Sequence, residues 1–228
     1  MKPSVHPRPG VTGAAALPTL AQQLSQAARC VQAVLAGRSL ADVLPQVPAA
    51  LRPGVQALVF HALRQGGMAA ELLRLLAPRA PAPPVRALLQ LAISLMPELC
   101  TEEDAPRYEP HTLVSQAVQA AKSARDTQAQ AGFVNACLRR FQREAPGLLA
   151  QAGQSLTARW NHPEWWVRRL QQDHPTHWQA ILAANNRPGA MTLRVNRRHG
   201  SRAAYLQRLA DAGCSAQQCL DLPGHPAR

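Results

Sequence analysis

Apolar residues recur every three or four positions along most of the first 145 residues, which is the spacing of amphipathic helices. Four such runs precede residue 80, and turn-forming Gly or Pro residues separate them. In the second run Ser39 stands where a helix N-cap is expected, three residues before Asp42. The runs are Leu20 to Gly37, Ser39 to Leu44, Val55 to Gly67, and the run through Leu72, Leu73 and Leu76.

The segment Val85–Met96 differs because it is apolar around most of its circumference. This pattern predicts a helix at the centre of its domain. Two more one-sided helices follow, over 113–121 and 133–141, and Pro146-Gly147 predicts the end of the second. A bundle of packed helices is therefore expected up to about residue 148.

The pattern changes after residue 150. Proline at a first helical turn predicts helices that start near Pro163 and Pro175. Residues 191–196 alternate between apolar and polar, which predicts a strand, and 201–212 form an amphipathic helix closed by Gly213. No second strand is evident, so an incomplete α/β module is expected.

The predicted fold class is mainly α: a helical bundle followed by a short, incomplete α/β module. The predicted organisation is a disordered tail at 1–18, a helical domain at 19–148, and linker helices with the start of the α/β module at 149–228.

Charge adds a candidate partner. The chain carries 25 Lys and Arg against 13 Asp and Glu, a net +12, and residues 151–228 alone hold ten cations against four acids. A balance this basic favours a polyanionic partner such as nucleic acid. Of the cations 23 are arginines; a GC-rich coding bias explains the choice of Arg over Lys but not the shortage of acids.

Other chemistry is poorly represented. The five cysteines are scattered and lack zinc-ligand spacing, so reduced thiols and no metal are expected. The N-terminus lacks the apolar core of a signal peptide, and no apolar run approaches the ~18 residues of a membrane span. We therefore expect a cytoplasmic protein that does not bind a membrane; the sequence does not indicate its oligomeric state.

Two helical segments now suggest a family. LVSQAVQAAK (113–122) and GFVNACLRRF (132–141) resemble the last two core helices of the NusB family, an all-helical RNA-binding fold. NHPEWWVRRL (161–170) and ANNRPGAMTLRVNRR (184–198) resemble the join to the catalytic half of Sun/RsmB-type ribosomal RNA cytosine-5 methyltransferases. The resemblance covers about residues 20–222. It departs at Ser115-Gln116, where the family commonly has Asn-Glu.

This resemblance implies ribosomal RNA as the partner and S-adenosylmethionine as the cofactor of a full-length member. The family's two catalytic cysteine motifs and its glycine-containing cofactor loop are not found in this chain. We therefore expect no cofactor bound to this chain, no catalytic residue and no methyl transfer by it alone, whereas the family to which it is similar consists of enzymes.

Several residues are candidates for RNA contact. Guanidinium groups pair bidentately with phosphates, and three arginines flank the predicted strand, although a merely solvated edge is the alternative. The helix-end cations are weaker candidates because such cations are common without a ligand. Asn196 is interpreted mainly as a turn-former. The candidate set is Arg194, Arg197, Arg198, Asn196, Arg139, Arg140, Arg143 and Lys122, with Arg125 weaker still.

Three further interpretations concern packing. The four tryptophans between 160 and 178 are able to stack on bases, but packing of Trp165 and Trp166 against the bundle is favoured. Asn135 is expected to be buried and to satisfy backbone groups, and Cys137 to be a core residue.

Two functions remain open. In the first, the chain is the RNA-binding N-terminal part of an rRNA methyltransferase. In the second, it is a free-standing NusB-like RNA-binding protein of transcription antitermination or ribosomal RNA handling. In a third interpretation the helical bundle is only a scaffold for a catalytic half that this chain lacks, and no feature of the sequence distinguishes it from the first.

Overall fold

The computed structural model describes residues 18–100, 106–189 and 191–217. Contacts divide the chain into two units that meet in sequence between Arg187 and Pro188. Eleven α-helices and no strand are present in these described ranges. The predicted disordered tail at 1–18 lies, apart from Pro18, outside them.

The first unit contains ten helices, with short 3-10 turns after α2, α5 and α6. They are α1 Leu20–Leu35, α2 Leu40–Val43, α3 Arg52–Arg64, α4 Gly66–Leu76, α5 Pro83–Ser94, α6 Pro110–Ser123, α7 Ala131–Ala152, α8 Leu156–Trp160, α9 Glu164–Asp173 and α10 Trp178–Asn185. The second unit contains α11, Arg202–Asp211.

Local signals explain where the first helices begin and end. Thr19 and Gln22 form a capping box at α1: the Thr19 hydroxyl accepts from the Gln22 amide, and the Gln22 side chain accepts from the Thr19 amide. Gly37, with φ 87°, lies just beyond the end of this helix, as the sequence predicts. The predicted cap of α2 is confirmed, since the Ser39 hydroxyl accepts from the Ala41 amide at 3.2 Å.

Helix α5 is central, which confirms the prediction from its apolar circumference. It packs against α1, α3, α4, α6 and α7. Leu89, Leu91 and Ile93 are fully buried, and burial of each such side chain stabilises the fold by about 1.5–3 kcal/mol. At its C-terminal end the Ser94 carbonyl lies 2.8 Å from Nε2 of buried His61, so α3 and α5 are also joined by a polar contact.

Helix α7 is longer than predicted. The expected end at Pro146-Gly147 is wrong, because the helix continues to Ala152 with Pro146 inside it. Proline removes one backbone hydrogen bond. The buried stripe nevertheless continues beyond the proline through Leu148 and Ala152, and this packing outweighs the missing bond.

Helices α8, α9 and α10 form a small second core in the same unit. Val167, Leu170 and Leu182 are its buried residues. The rings of Trp160 and Trp178 meet edge to face with centroids 5.0 Å apart. Both tryptophans pack on this core, as do Trp166 and Ile181.

One residue ties this second core to the bundle. Asn161 follows α8 in the left-handed conformation, with φ 54°. Its side-chain oxygen accepts from the Met68 amide at 2.8 Å, and its nitrogen donates to the Gln65 side chain at 3.1 Å. Asn161 thus satisfies a half-buried amide that has no partner within α4, because it lies in the first turn of that helix, while it ends α8. Sequence reasoning missed this role, although asparagine tolerates this conformation better than most residues.

The second unit differs from its prediction in one respect. Residues 191–196 are not a strand, and the α/β module is therefore not confirmed. A strand requires a hydrogen-bonded neighbour, and the described residues supply none. Helix α11 is present as predicted, with Ser201 as its N-cap and Gly213 at φ 73° after its end. None of the described residues after Arg187 is buried.

Candidate nucleic-acid interface

The arginines before α11 are exposed. Arg194, Arg197 and Arg198 make no ion pair with any described residue. The Asn196 side chain accepts a hydrogen bond from the Arg198 amide at 3.0 Å, and the His199 amide donates to the Asn196 carbonyl at 2.9 Å. Asn196 therefore shapes the turn, as interpreted from the sequence.

Arg202 extends this group and was missed by sequence reasoning. It is exposed and opens α11, directly after the Ser201 hydroxyl that accepts from the Ala204 amide at 3.2 Å. The sequence does indicate this residue, because the segment RRHGSR (197–202) places three arginines in six residues. We call Arg194, Arg197, Arg198 and Arg202 the arginine cluster. These four exposed arginines fall within nine residues of sequence and make no ion pair with a described residue, so their charge favours the approach of phosphates.

The three arginines of α7 have different surroundings. The Arg140 Nε donates to Glu144 at 2.9 Å, and its Nη1 donates to the Leu76 carbonyl at 3.4 Å, at the C-terminal end of α4. Arg139 donates to the Gln142 side chain at 3.4 Å, and neither Arg139 nor Arg143 makes an ion pair in the part of the chain described. Arg140 thus already holds α4 and α7 together, which leaves fewer of its donors for a ligand.

The two remaining candidates belong to another helix end. Lys122 and Arg125 are exposed at the end of α6 and just after it. Arg29 is exposed on α1 and is the only basic residue of that helix. The structure therefore places all three cations on the surface.

Two packing predictions for α7 have opposite outcomes. Cys137 is buried, as predicted. Asn135 is exposed, so the prediction that it is buried among apolar neighbours is wrong. The helix buries Val134 and Leu138, and the 100° step per residue turns Asn135 away from that stripe.

Three of the four described cysteines, Cys30, Cys100 and Cys137, are buried, whereas Cys214 is exposed. Burial raises the pKa of Cys30 and Cys137, and it raises the pKa of Cys100 to about 11. The Cys100 sulfur lies 3.7 Å from Nε2 of His61 and 3.4 Å from the Pro106 carbonyl. The described residues contain no group of three metal-ligating side chains. None of their helices is long and apolar enough to cross a membrane.

The three buried thiols should make the folded protein less stable at alkaline pH. Their raised pKa values, and the raised pKa of Tyr108, mean that the unfolded chain loses these protons at lower pH than the folded chain, the thiol protons around pH 9.0 and the Tyr108 proton around pH 10.0. The contribution of these groups to the free energy of unfolding is complete below pH 9 and is lost as the pH rises toward 11. We expect the melting temperature to fall across this interval in thermal unfolding followed by circular dichroism. The fall should be shallower in Cys100→Ala; an equal slope would contradict the assignment to Cys100.

Comparison with known families agrees with the helical architecture. The NusB family model matches residues 18–143. A second model, described as "Methyltr_RsmF/B-like, ferredoxin-like domain", matches residues 162–224. With more than half of its length matched by the first model, the chain belongs to the NusB family. The two domains in this order are those of the N-terminal region of a Sun/RsmB-type protein.

Three relatives of this chain share one name. A protein from Escherichia coli O6:H1 named ribosomal RNA small subunit methyltransferase B is 33% identical over 204 residues, which are 87% of this chain and 46% of that protein. A protein of the same name from Citrobacter koseri is 44% identical over 107 residues, 47% of this chain and 24% of the relative. One from Salmonella agona is 42% identical over 117 residues, 51% and 27% respectively. The chain thus matches at most about half the length of these relatives.

The second family match and the contacts divide the chain differently. Helices α9 and α10 lie within the ferredoxin-like match at 162–224, whereas contacts group them with the first unit. The family match depends on sequence alone. The contacts depend on packing, and α8, which packs on α4, connects α9 and α10 to the bundle. The arginine cluster lies within the ferredoxin-like match and also within the second unit, so the two descriptions agree on its position.

Proposed function

We propose that this chain is the ribosomal-RNA-binding N-terminal region of an S-adenosylmethionine-dependent rRNA cytosine-5 methyltransferase, and that it acts in the cytoplasm. In this proposal 19–148 is the NusB-like domain, and 149–228 holds linker helices and the start of an RNA-binding module. The observation that carries it is the ferredoxin-like match, which contains an exposed arginine cluster that makes no ion pair with any residue the structure describes. The names of the relatives supply the substrate class.

The proposal assigns recognition, not chemistry, to these residues. Cytosine-5 transfer needs a cysteine thiolate as nucleophile. Buried Cys30, Cys100 and Cys137 have raised pKa values, which disfavour the thiolate. Cys214 is exposed, but it follows a glycine and does not lie in either of the family's catalytic cysteine motifs. We therefore propose that this chain by itself leaves RNA unmethylated and that S-adenosylmethionine belongs to the catalytic part of a full-length protein.

The test is a comparison of two arginine sets. We expect Arg194→Ala, Arg197→Ala and Arg198→Ala together to weaken binding of small-subunit rRNA fragments about tenfold or more. The slope of log affinity against log salt is negative, and its magnitude should fall by up to about 0.7 to 0.9 for each phosphate that is no longer bound. The same change at Arg139, Arg140 and Arg143 should weaken binding less, because Arg140 already binds Glu144 and Leu76.

The readout is fluorescence anisotropy of labelled rRNA fragments over a salt series, with circular dichroism to confirm folding of each variant. Wild-type binding that is unchanged between low and moderate salt would contradict the electrostatic account. A larger loss of affinity from the α7 set would place the RNA-binding face on the helical bundle instead.

A second function is supported by the extent of the NusB match, which covers residues 18–143. In this alternative the chain is a free-standing NusB-like protein that acts in transcription antitermination or ribosomal RNA handling. The DNA immediately downstream distinguishes the two: a cofactor-binding domain there, in frame or frame-shifted, supports the methyltransferase, and an unrelated gene contradicts it.

A further inference from the structure

Trp165 is set apart from the other tryptophans by its exposure. Trp160, Trp166 and Trp178 pack on the second core, whereas 67% of the surface of Trp165 is open to solvent. The sequence interpretation that Trp165 pins its helix to the bundle is therefore wrong. At positions 165 and 166, neighbouring residues project from the helix about 100° apart. Trp166 consequently points into the core while Trp165 points away from it.

The exposed ring is nevertheless held in place. Trp165 lies in the first turn of α9, and its centroid is 5.6 Å from that of Trp166 with the rings 67° apart. Because Trp166 packs on the second core, this edge-to-face contact limits the rotation of the exposed indole. An exposed fraction of two thirds cannot be reached with both faces of the ring covered. A fixed, open aromatic face loses little conformational entropy when a flat ligand stacks on it.

The surroundings of Trp165 favour a nucleobase over a protein surface. It is the only large exposed apolar side chain among the described residues of α8, α9 and α10. Its neighbours on α9 include exposed charged groups, with Arg168 paired to Glu164 and Arg169 paired to Asp173. A protein interface normally buries a cluster of apolar groups at its centre. A single aromatic ring on a chain of net charge +12 instead suits one base of a polyanion.

We propose that Trp165 stacks on an unpaired base of the bound RNA and gives the chain a preference for single-stranded or looped RNA over duplex. This inference rests on the proposed RNA-binding function. A base in a duplex already stacks on its neighbours, so only an unpaired base gains from the indole. The four charged side chains of α9 sum to zero, so stacking changes affinity without changing the salt dependence.

The experiment measures the affinity of the whole chain for a single-stranded oligoribonucleotide and for an RNA duplex of equal length. Trp165→Ala should weaken single-strand binding about 5- to 100-fold, as expected when one base stack is removed. Its duplex affinity and salt slope should match the wild type. Trp165→Phe, which keeps a flat ring, should retain most of the affinity. Trp165→Leu, which keeps apolar bulk without a ring, should behave like the alanine variant.

Phe60→Ala is the matched control, because Phe60 is an aromatic residue of α3 that is 43% exposed. It should bind both RNAs like the wild type. Equal single-strand affinity of Trp165→Ala and wild type, or equal weakening in the Phe and Leu variants, would overturn stacking while RNA binding itself stands. Docking of another polypeptide on Trp165 would give the first of these results. Failure of the wild type to bind either RNA would instead remove the proposed function, and this inference with it.

Discussion

Phe141→Ala should destabilise the protein by about 3–5 kcal/mol, the range found when a fully buried phenylalanine is truncated in a core. Phe141 has no surface exposed to solvent and is among the largest fully buried side chains of the described residues. It lies on the buried stripe of α7, a helix that packs against α4, α5 and α6. Truncation of the ring would leave a cavity inside the main core, and the surrounding structure relaxes only in part around such a cavity. Urea unfolding followed by circular dichroism measures the change in free energy.

Phe133→Ala is the control on the same helix. Phe133 is 37% exposed, so the same substitution removes less buried apolar surface there. Its cost should be well below that of Phe141→Ala, with the same slope of free energy against urea. Because alanine favours the helix more than phenylalanine does, helix propensity would not explain a loss at either position, and equal destabilisation would contradict the role assigned to the buried stripe.

Helix positions were predictable where the signal is local. The Ser39 cap, the glycine after α1 and the apolar circumference of α5 each report a nearby physical requirement, and the structure confirms all three. The end of α7 was not predictable in this way. Pro146 is a local signal to stop, and the residues that override it are bound to partners distant in sequence.

The candidate site shows the same division. The cationic residues and the Asn196 turn follow from composition and local hydrogen bonding, and both are visible in the sequence. Exposure of Trp165 was not predictable, because two adjacent tryptophans carry no signal for which one faces the core. The hydrogen bond from Arg140 to the Leu76 carbonyl also depends on the packing of α7 beside α4, since the two residues are 64 positions apart in the chain.

The Gly66-Gly67 pair shows how tertiary packing changes the meaning of a local signal. In sequence it marks the end of a helix, and α3 does end at Arg64. In the structure the two glycines open the next helix, α4, which packs against α8. A Cβ atom on Gly66 would meet nothing within 4 Å, whereas one on Gly67 would overlap the Thr157 carbonyl and lie 2.9 Å from Cα of Asn161.

Gly67→Ala should therefore cost at least about 3 kcal/mol, the upper part of the range for overpacking, because the overlapping atoms belong to the backbone and not to a flexible side chain. Gly66→Ala, one residue away in the same helical turn, should be neutral or stabilising by up to about 1 kcal/mol, since alanine favours the helix. Urea unfolding of both variants gives the comparison.

If Gly67→Ala proves as stable as Gly66→Ala, the close approach of α4 and α8 is not required for folding. If it is destabilised, near-ultraviolet circular dichroism of the tryptophans should change as well. The displaced backbone carries Asn161, whose side chain binds Met68 and Gln65, and it directly follows Trp160 of the second core. Separating the backbones of α4 and α8 would then loosen the whole connection between the bundle and the helices that carry the exposed tryptophan.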